Sequence, residues 1–119
     1  MGKTLDLVRL PLKAVVAVNG VGTVASKRVE NGQVMVCQSI TWRNRTGARG
    51  TLVLQIRSDD VVYPFANQLT PGANTWYWDP YEVRINEGEQ IEASQETCIA
   101  ADILDLIVLG YIVYKSEAE

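Results

Sequence analysis

Histidine is absent from the 119 residues. Without imidazole, Ser-His and Cys-His hydrolytic arrangements lose their base, and most zinc and cupin-type metal sites lose their usual ligand. Cysteine is scarce: Cys37 and Cys98 are the two, too few for a disulfide scaffold. Cys37 falls in an apolar alternating segment, where a buried free thiol is expected, and a bridge to Cys98 stays open. No apolar run reaches the ~18 residues of a membrane span, and the opening Met-Gly-Lys-Thr-Leu-Asp-Leu has no signal-peptide core. Cytoplasmic synthesis is therefore the expectation, and Asn44-Arg45-Thr46 matches a glycosylation acceptor only by chance. Gly20-Val21-Gly22 lacks the third glycine of a dinucleotide loop. Glu87, Glu89, Glu92 and Asp102 have no calcium-loop spacing and read as a solvated acidic rim. None of the 14 acids is singled out as half of a glycosidase pair. No catalytic residue, metal or cofactor is assigned, and the chain is expected not to be an enzyme.

What is present is an ordinary globular composition, 47% hydrophobic and 21% charged, in a chain the size of one domain. The net charge of -3 gives no reason to expect nucleic acid as a partner. The charges are unevenly placed. Residues 1–57 hold nine basic side chains against Asp6 and Glu30, whereas residues 79–119 hold ten acids against Arg84 and Lys115. Either β-topology interleaves the halves so that the charges pair across strands, or the surface is polarised and orients a neighbour.

Short β-branched segments follow one another between turn signals. Residues 13–18 end at Asn19-Gly20, and Asn31-Gly32 repeats the hairpin signal before an alternating segment at 34–44. There Val34, Val36, Gln38, Ile40 and Trp42 form the set expected to face the core. In 51–57, Leu52, Leu54 and Ile56 read as inward. Asp59-Asp60 turns the chain, Pro71-Gly72 suits a type II turn, and Ile91 with Ala93 marks another inward face. Residues 94–102 read as a loop ahead of a strand, although Ile99, Ile103 and Ile107 also fit a helical spacing. Seven or eight strands without a firm helix indicate an all-β, antiparallel two-sheet sandwich. Residues 1–12 are expected to form an extended N-terminal arm, with an edge strand of the same domain as the alternative; residues 13–119 form the sandwich.

The segment Ile103–Tyr114 is apolar on both alternating faces. One set is Leu104, Leu106, Val108, Gly110, Ile112 and Tyr114; the other is Ile103, Asp105, Ile107, Leu109, Tyr111 and Val113. A sandwich covers one set, so a second subunit is expected to cover the other. The expected interface comprises Leu5, Leu7 and Leu10 of the arm, Ile107, Leu109, Tyr111 and Val113, and Arg43, Arg45 and Arg49 as orienting charges. Trp76, Trp78 and Tyr81 are either structural aromatics or a sugar-stacking platform.

Leu69-Thr70-Pro71-Gly72, Glu87-Gly88-Glu89-Gln90-Ile91 and the run Leu106-Ile107-Val108-Leu109-Gly110-Tyr111-Ile112-Val113-Tyr114 resemble the small jelly-roll proteins of tailed-phage virions. Ile40-Thr41-Trp42-Arg43-Asn44 followed by Gly47 fits the same layout, and the resemblance spans residues 34–115. Its motifs are shared by many jelly rolls, tumour-necrosis-factor-like domains among them. The resemblance implies a capsid cement or decoration protein on the virion exterior, a self-associating dimer or trimer bound to the major capsid protein. It brings no catalytic residues, membrane or cofactor. The alternative is a carbohydrate-binding β-sandwich module, free or on a phage receptor-binding fibre.

Overall fold

The computed structural model describes residues 5–79 and 82–115. Among them are nine strands and no helix: β1 (Leu5–Val15), β2 (Gly20–Ala25), β3 (Gln33–Asn44), β4 (Leu52–Ser58), β5 (Val61–Gln68), β6 (Tyr77–Asp79), β7 (Val83–Ile85), β8 (Glu89–Cys98) and β9 (Ile103–Tyr114). One sheet, sheet A, runs β1-β9-β3 with β6 and β7 side by side along the far edge of β3; the other, sheet B, runs β2-β8-β4-β5. The chain thus crosses between sheets at nearly every connection, the winding of an antiparallel jelly-roll sandwich. Asn19-Gly20 and Asn31-Gly32 do turn the chain, Gly32 with φ +79, but they join strands of opposite sheets and do not close hairpins. The expected type II turn at Pro71-Gly72 is absent as well: Gly72 lacks a positive φ, and Asn74 takes one instead.

Residues 5–12 are not an arm. They belong to β1, paired along its whole length with β9 from Leu5↔Val113 to Val15↔Ile103, so a boundary at residue 12 falls inside a strand. The reason is packing: Val8, Leu10, Leu12 and Ala14 lie against the core, and detaching them would expose that surface. Residues 1–4 lie outside the described residues. Residues 94–98, expected in a loop, are the end of β8; only residues 99–102 form the loop ahead of β9, and no helix forms there.

The core is filled by Ile40, Trp42, Leu52, Leu54, Ile85, Ile91, Leu104, Leu106 and Val108, all at or below 1% exposure. Cys37 and Cys98 are also buried and free; burial pushes the Cys37 thiol up to about 12. The expected alternation of β3 holds for only half of the strand. Met35 and Cys37 point into the core together with Ile40 and Trp42, because a bulge between Cys37 and Ser39 on the β9 side inserts Gln38 and flips the register. Gly110, opposite Cys37, makes this possible: a Cβ there would sit 1.9 Å from the Val36 carbonyl oxygen.

Charges from the two halves of the chain pair inside the fold. On β8, Glu92 accepts from Gln55 Nε2 at 2.6 Å and from Arg57 Nη2 at 3.0 Å. Asp102, in the loop before β9, accepts from Arg49 Nε at 2.8 Å and Nη2 at 3.0 Å, from the Ile99 N–H at 3.0 Å and from Asn44 Nδ2 at 3.3 Å. Asn44 Nδ2 also donates to Gln95 Oε1 at 2.8 Å, and its Oδ1 accepts the N–H groups of Thr46 and Gly47. The glycosylation acceptor is therefore buried and fully bonded. Glu92 and Asp102 are not rim residues either: both are buried under arginines. The Arg49 hydrogen bonds hold the Asp102 carboxyl at about 2, against the opposing effect of burial.

Two outcomes are expected. Gly110→Ala should lower unfolding stability by about 3 kcal/mol or more, read by denaturant titration; an unchanged midpoint would show that β3 does not need the close approach. Because the Asp102 carboxyl is depressed in the folded state, its stabilisation is full above about pH 4 and is lost as pH falls toward 2. Asp102→Asn should therefore be less stable at neutral pH and show a shallower loss of melting temperature between pH 4 and 2 than the parent chain; parallel curves would contradict this.

Candidate docking face

The outward surface of sheet A follows from the registers. Directly paired residues share a face, so Leu7 lies beside Tyr111, Arg9 beside Leu109, Pro11 beside Ile107 and Lys13 beside Asp105. The rows continue onto β3 with Val34 beside Val113, Ser39 beside Leu109, Thr41 beside Ile107 and Arg43 beside Asp105, and onto β6 with Trp78 beside Thr41. The two sets of β9 separate as the sequence implied. Leu104, Leu106 and Val108 are wholly buried, while Leu109 on the other set is 42% exposed and Ile107, Tyr111 and Val113 are half-buried.

Leu7 is 88% exposed on this face, and Leu5 pairs with Val113 at its end. Leu10 is on the other side: it packs against the core and lines a cleft of about 500 Å³ between sheet A and the 26–30 segment, with Leu12, Val29, Met35 and Ile112. It is removed from the interface set, since alternation turns it inward. Trp76 and Trp78, 42% and 63% exposed, are not core aromatics. They stand on the same face as Leu7 and Leu109, whereas Tyr77 between them turns in and its hydroxyl accepts the Gly72 N–H at 2.7 Å. Tyr81 lies outside the described residues. The two groups of residues that the sequence offered as alternatives, an oligomer contact and an aromatic platform, thus share one surface.

The three loop arginines are not a free cationic loop. Arg43 Nε donates to Asp105 Oδ2 at 2.8 Å, and Arg45 donates through Nε at 3.0 Å and through Nη2 at 2.7 Å; Arg49 serves Asp102. Burial pushes the Asp105 carboxyl up, but the hydrogen bonds and charges of Arg45 and Arg43 outweigh it and hold the group below its ordinary value. Arg45 is raised by the same hydrogen bond. The Arg43 guanidinium also donates to Asn74 Oδ1 at 2.8 Å and lies 4.0 Å from the centroid of the Trp76 ring, so a cation–π contact holds that indole in place.

The face has two unlike halves. Toward the start of β1 and the end of β9 it is mainly apolar, with Leu7, Leu109, Tyr111, Val113 and Val34, and Arg9 and Ser39 stand beside Leu109. Toward the end of β1 and the start of β9 a shallow depression of about 250 Å³ is lined by Lys13, Arg43, Arg45, Trp76, Asp105 and Ile107. Lys13 and Pro11 were missed as members of this surface, and Asp105, although in the outward set, was left out of the expected interface residues. The signal was the acid at 105 in an otherwise apolar strand, which requires a cationic partner.

No protein-family model and no curated protein sequence matches the chain. Solved structures do overlap it. A subunit of Bacillus endospore appendages, described as a novel family of disulfide-linked pili, is 9% identical, with 98% of this chain and 93% of that one covered and a TM-score of 0.54. TmCBM61, in complex with β-1,4-galactotriose, is 13% identical over 94% of this chain and 83% of its own, TM-score 0.42. The K3 adhesin domain of Lys-gingipain from Porphyromonas gingivalis is 11% identical over 76% and 63%, TM-score 0.41. At these identities the likeness to the appendage subunit is one of fold: a two-sheet antiparallel β-sandwich.

Proposed function

We propose that the chain is a non-enzymatic structural subunit that pairs with a second copy of itself through the outward face of sheet A. The observation that carries this reading is the mainly apolar half of that face, where Leu7 and Leu109 stand exposed with Arg9 and Ser39 beside Leu109. Strands of 11 and 12 residues across three to four neighbouring strands give the whole face an area on the order of 500–700 Å². The apolar half is about half of that, below the roughly 800 Å² each partner buries in a standard-size interface and in the range of small, weaker contacts. The best complement of a flat sheet face is another one, packed about 10 Å away with roughly aligned strands. Symmetric pairing of this kind is the step from which attachment to a virion coat, or growth of a larger assembly, would follow. The appendage protein is described as disulfide-linked; here both cysteines are buried, so the proposed association is non-covalent.

Sedimentation velocity at micromolar concentration should give a dimer or a higher closed oligomer. Leu7→Lys combined with Leu109→Lys should shift it to monomer, a loss of at least 100-fold in affinity, with little change in monomer stability because both side chains are already exposed. A parent chain that sediments as a monomer at tens of micromolar would overturn the reading.

Trp76 and Trp78 support a second reading, saccharide stacking. Flat, exposed indoles at alternate positions of an extended segment pack well on sugar rings. Titration with a neutral β-galacto-oligosaccharide should quench tryptophan emission in the parent chain and not in Trp78→Ala; an unaltered spectrum in the parent would reject it.

A further inference from the structure

We infer that the depression beside Trp76 is a subsite for an anionic saccharide, one carrying a carboxylate or sulfate, with Lys13 as the residue that selects the charge. The inference rests on the saccharide-stacking reading and specifies its ligand. Three cations, Lys13, Arg43 and Arg45, surround a single carboxylate, Asp105. Both arginines spend hydrogen bonds on Asp105, yet one carboxylate balances one positive charge, so the depression keeps a net charge of about +2 on a chain whose total is -3. Lys13 pairs in register with Asp105 but makes no ion pair among the described residues, which leaves its ammonium available. Arg45 is half in water, its side chain 41% exposed.

The aromatic side of the site decides in favour of a sugar. Arg43 occupies one face of Trp76, a residue still 42% exposed, and Trp78 follows about 7 Å along the extended backbone. A ring resting on these indoles would place an equatorial acidic group over the cations. Nucleic acid would also offer flat rings and negative charge, but the chain's net negative charge works against a polyphosphate partner. The depression lies at the end of the sheet away from Leu7, so it stays apart from the apolar half of the face.

The test uses the full chain and three probes at low ionic strength: a neutral galactotriose, a trigalacturonate and a sulfated galacto-oligosaccharide. Calorimetry should show the two charged probes binding at least tenfold more tightly than the neutral one, an advantage that shrinks in 0.5 M salt. Comparison of the carboxylate with the sulfate probe identifies the source of the charge. Lys13→Ala, which leaves Asp105 with both arginines, should remove most of the preference while keeping neutral binding and the melting temperature; Trp78→Ala should weaken all three probes. Equal affinity for charged and neutral sugars would overturn this inference and leave stacking intact. Binding to none of the three would remove both. Tight binding of hexaglutamate that is insensitive to Trp78→Ala would make the depression an acidic-peptide dock and overturn the saccharide assignment.

Discussion

Strand β9 constrains everything else. It is held by β1 on one edge and β3 on the other, so its backbone hydrogen bonds are satisfied and only its two faces remain to be accounted for. The face bearing Leu104, Leu106 and Val108 makes the centre of the core. The opposite face carries comparably apolar residues but has no layer above it among the described residues. A free sheet surface of that composition is unfavourable in water by roughly 25 cal/mol for each Å² left exposed, and this cost is what a partner would remove.

The ion pairs serve the same architecture. Arg43 stands directly opposite Asp105 in the β3–β9 ladder, and a slip of one residue would aim the guanidinium at the core, between Leu104 and Leu106. Buried pairs add little net stability when compared with apolar replacements, because desolvation offsets their attraction. Their value here is geometric: wrong registers leave a buried charge without its partner. Arg49 and Asp102 do the same at the top of the sandwich, where Asn44 and Gln95 tie the 45–51 loop to the segment leading into β9. The uneven distribution of charge along the sequence is largely the record of these contacts, first-half arginines on second-half carboxylates.

Much of this was legible in the residues. The inward sets of β4, β8 and β9 follow from strict alternation, and Ile-Val-Tyr enrichment was enough to favour a strand over a helix from residue 103. The failures have particular causes. Gln38 looks like one more polar position in β3, and only the tertiary partner Gly110 reveals that the backbone bulges there. Leu10 looks like Leu5 and Leu7 unless β1 is known to be paired and therefore alternating. Trp76 and Trp78 carry enough apolar surface to be taken for core, but a three-residue edge strand puts one alternate set outside. The arginine partners lie 35 to 62 residues away, a distance that no local pattern encodes.

The edges of the sheets are consistent with the proposed association using a face and not a strand border. Sheet A ends in β1, which carries Arg9, Pro11 and Lys13, and at its other margin in β6 and β7, three residues each. Sheet B ends in β2, six residues with an irregular register at Gly20–Gly22, and in β5, which combines Pro64 with a register shift opposite Leu54 and Gln55. Charge, proline, shortness and bulges are the devices by which strands are kept from adding neighbours. With all four margins protected in this way, edge-to-edge growth is the mode the sequence opposes, and the exposed apolar rows of sheet A, together with Val61, Tyr63 and Phe65 on β5, remain as uncovered apolar surface.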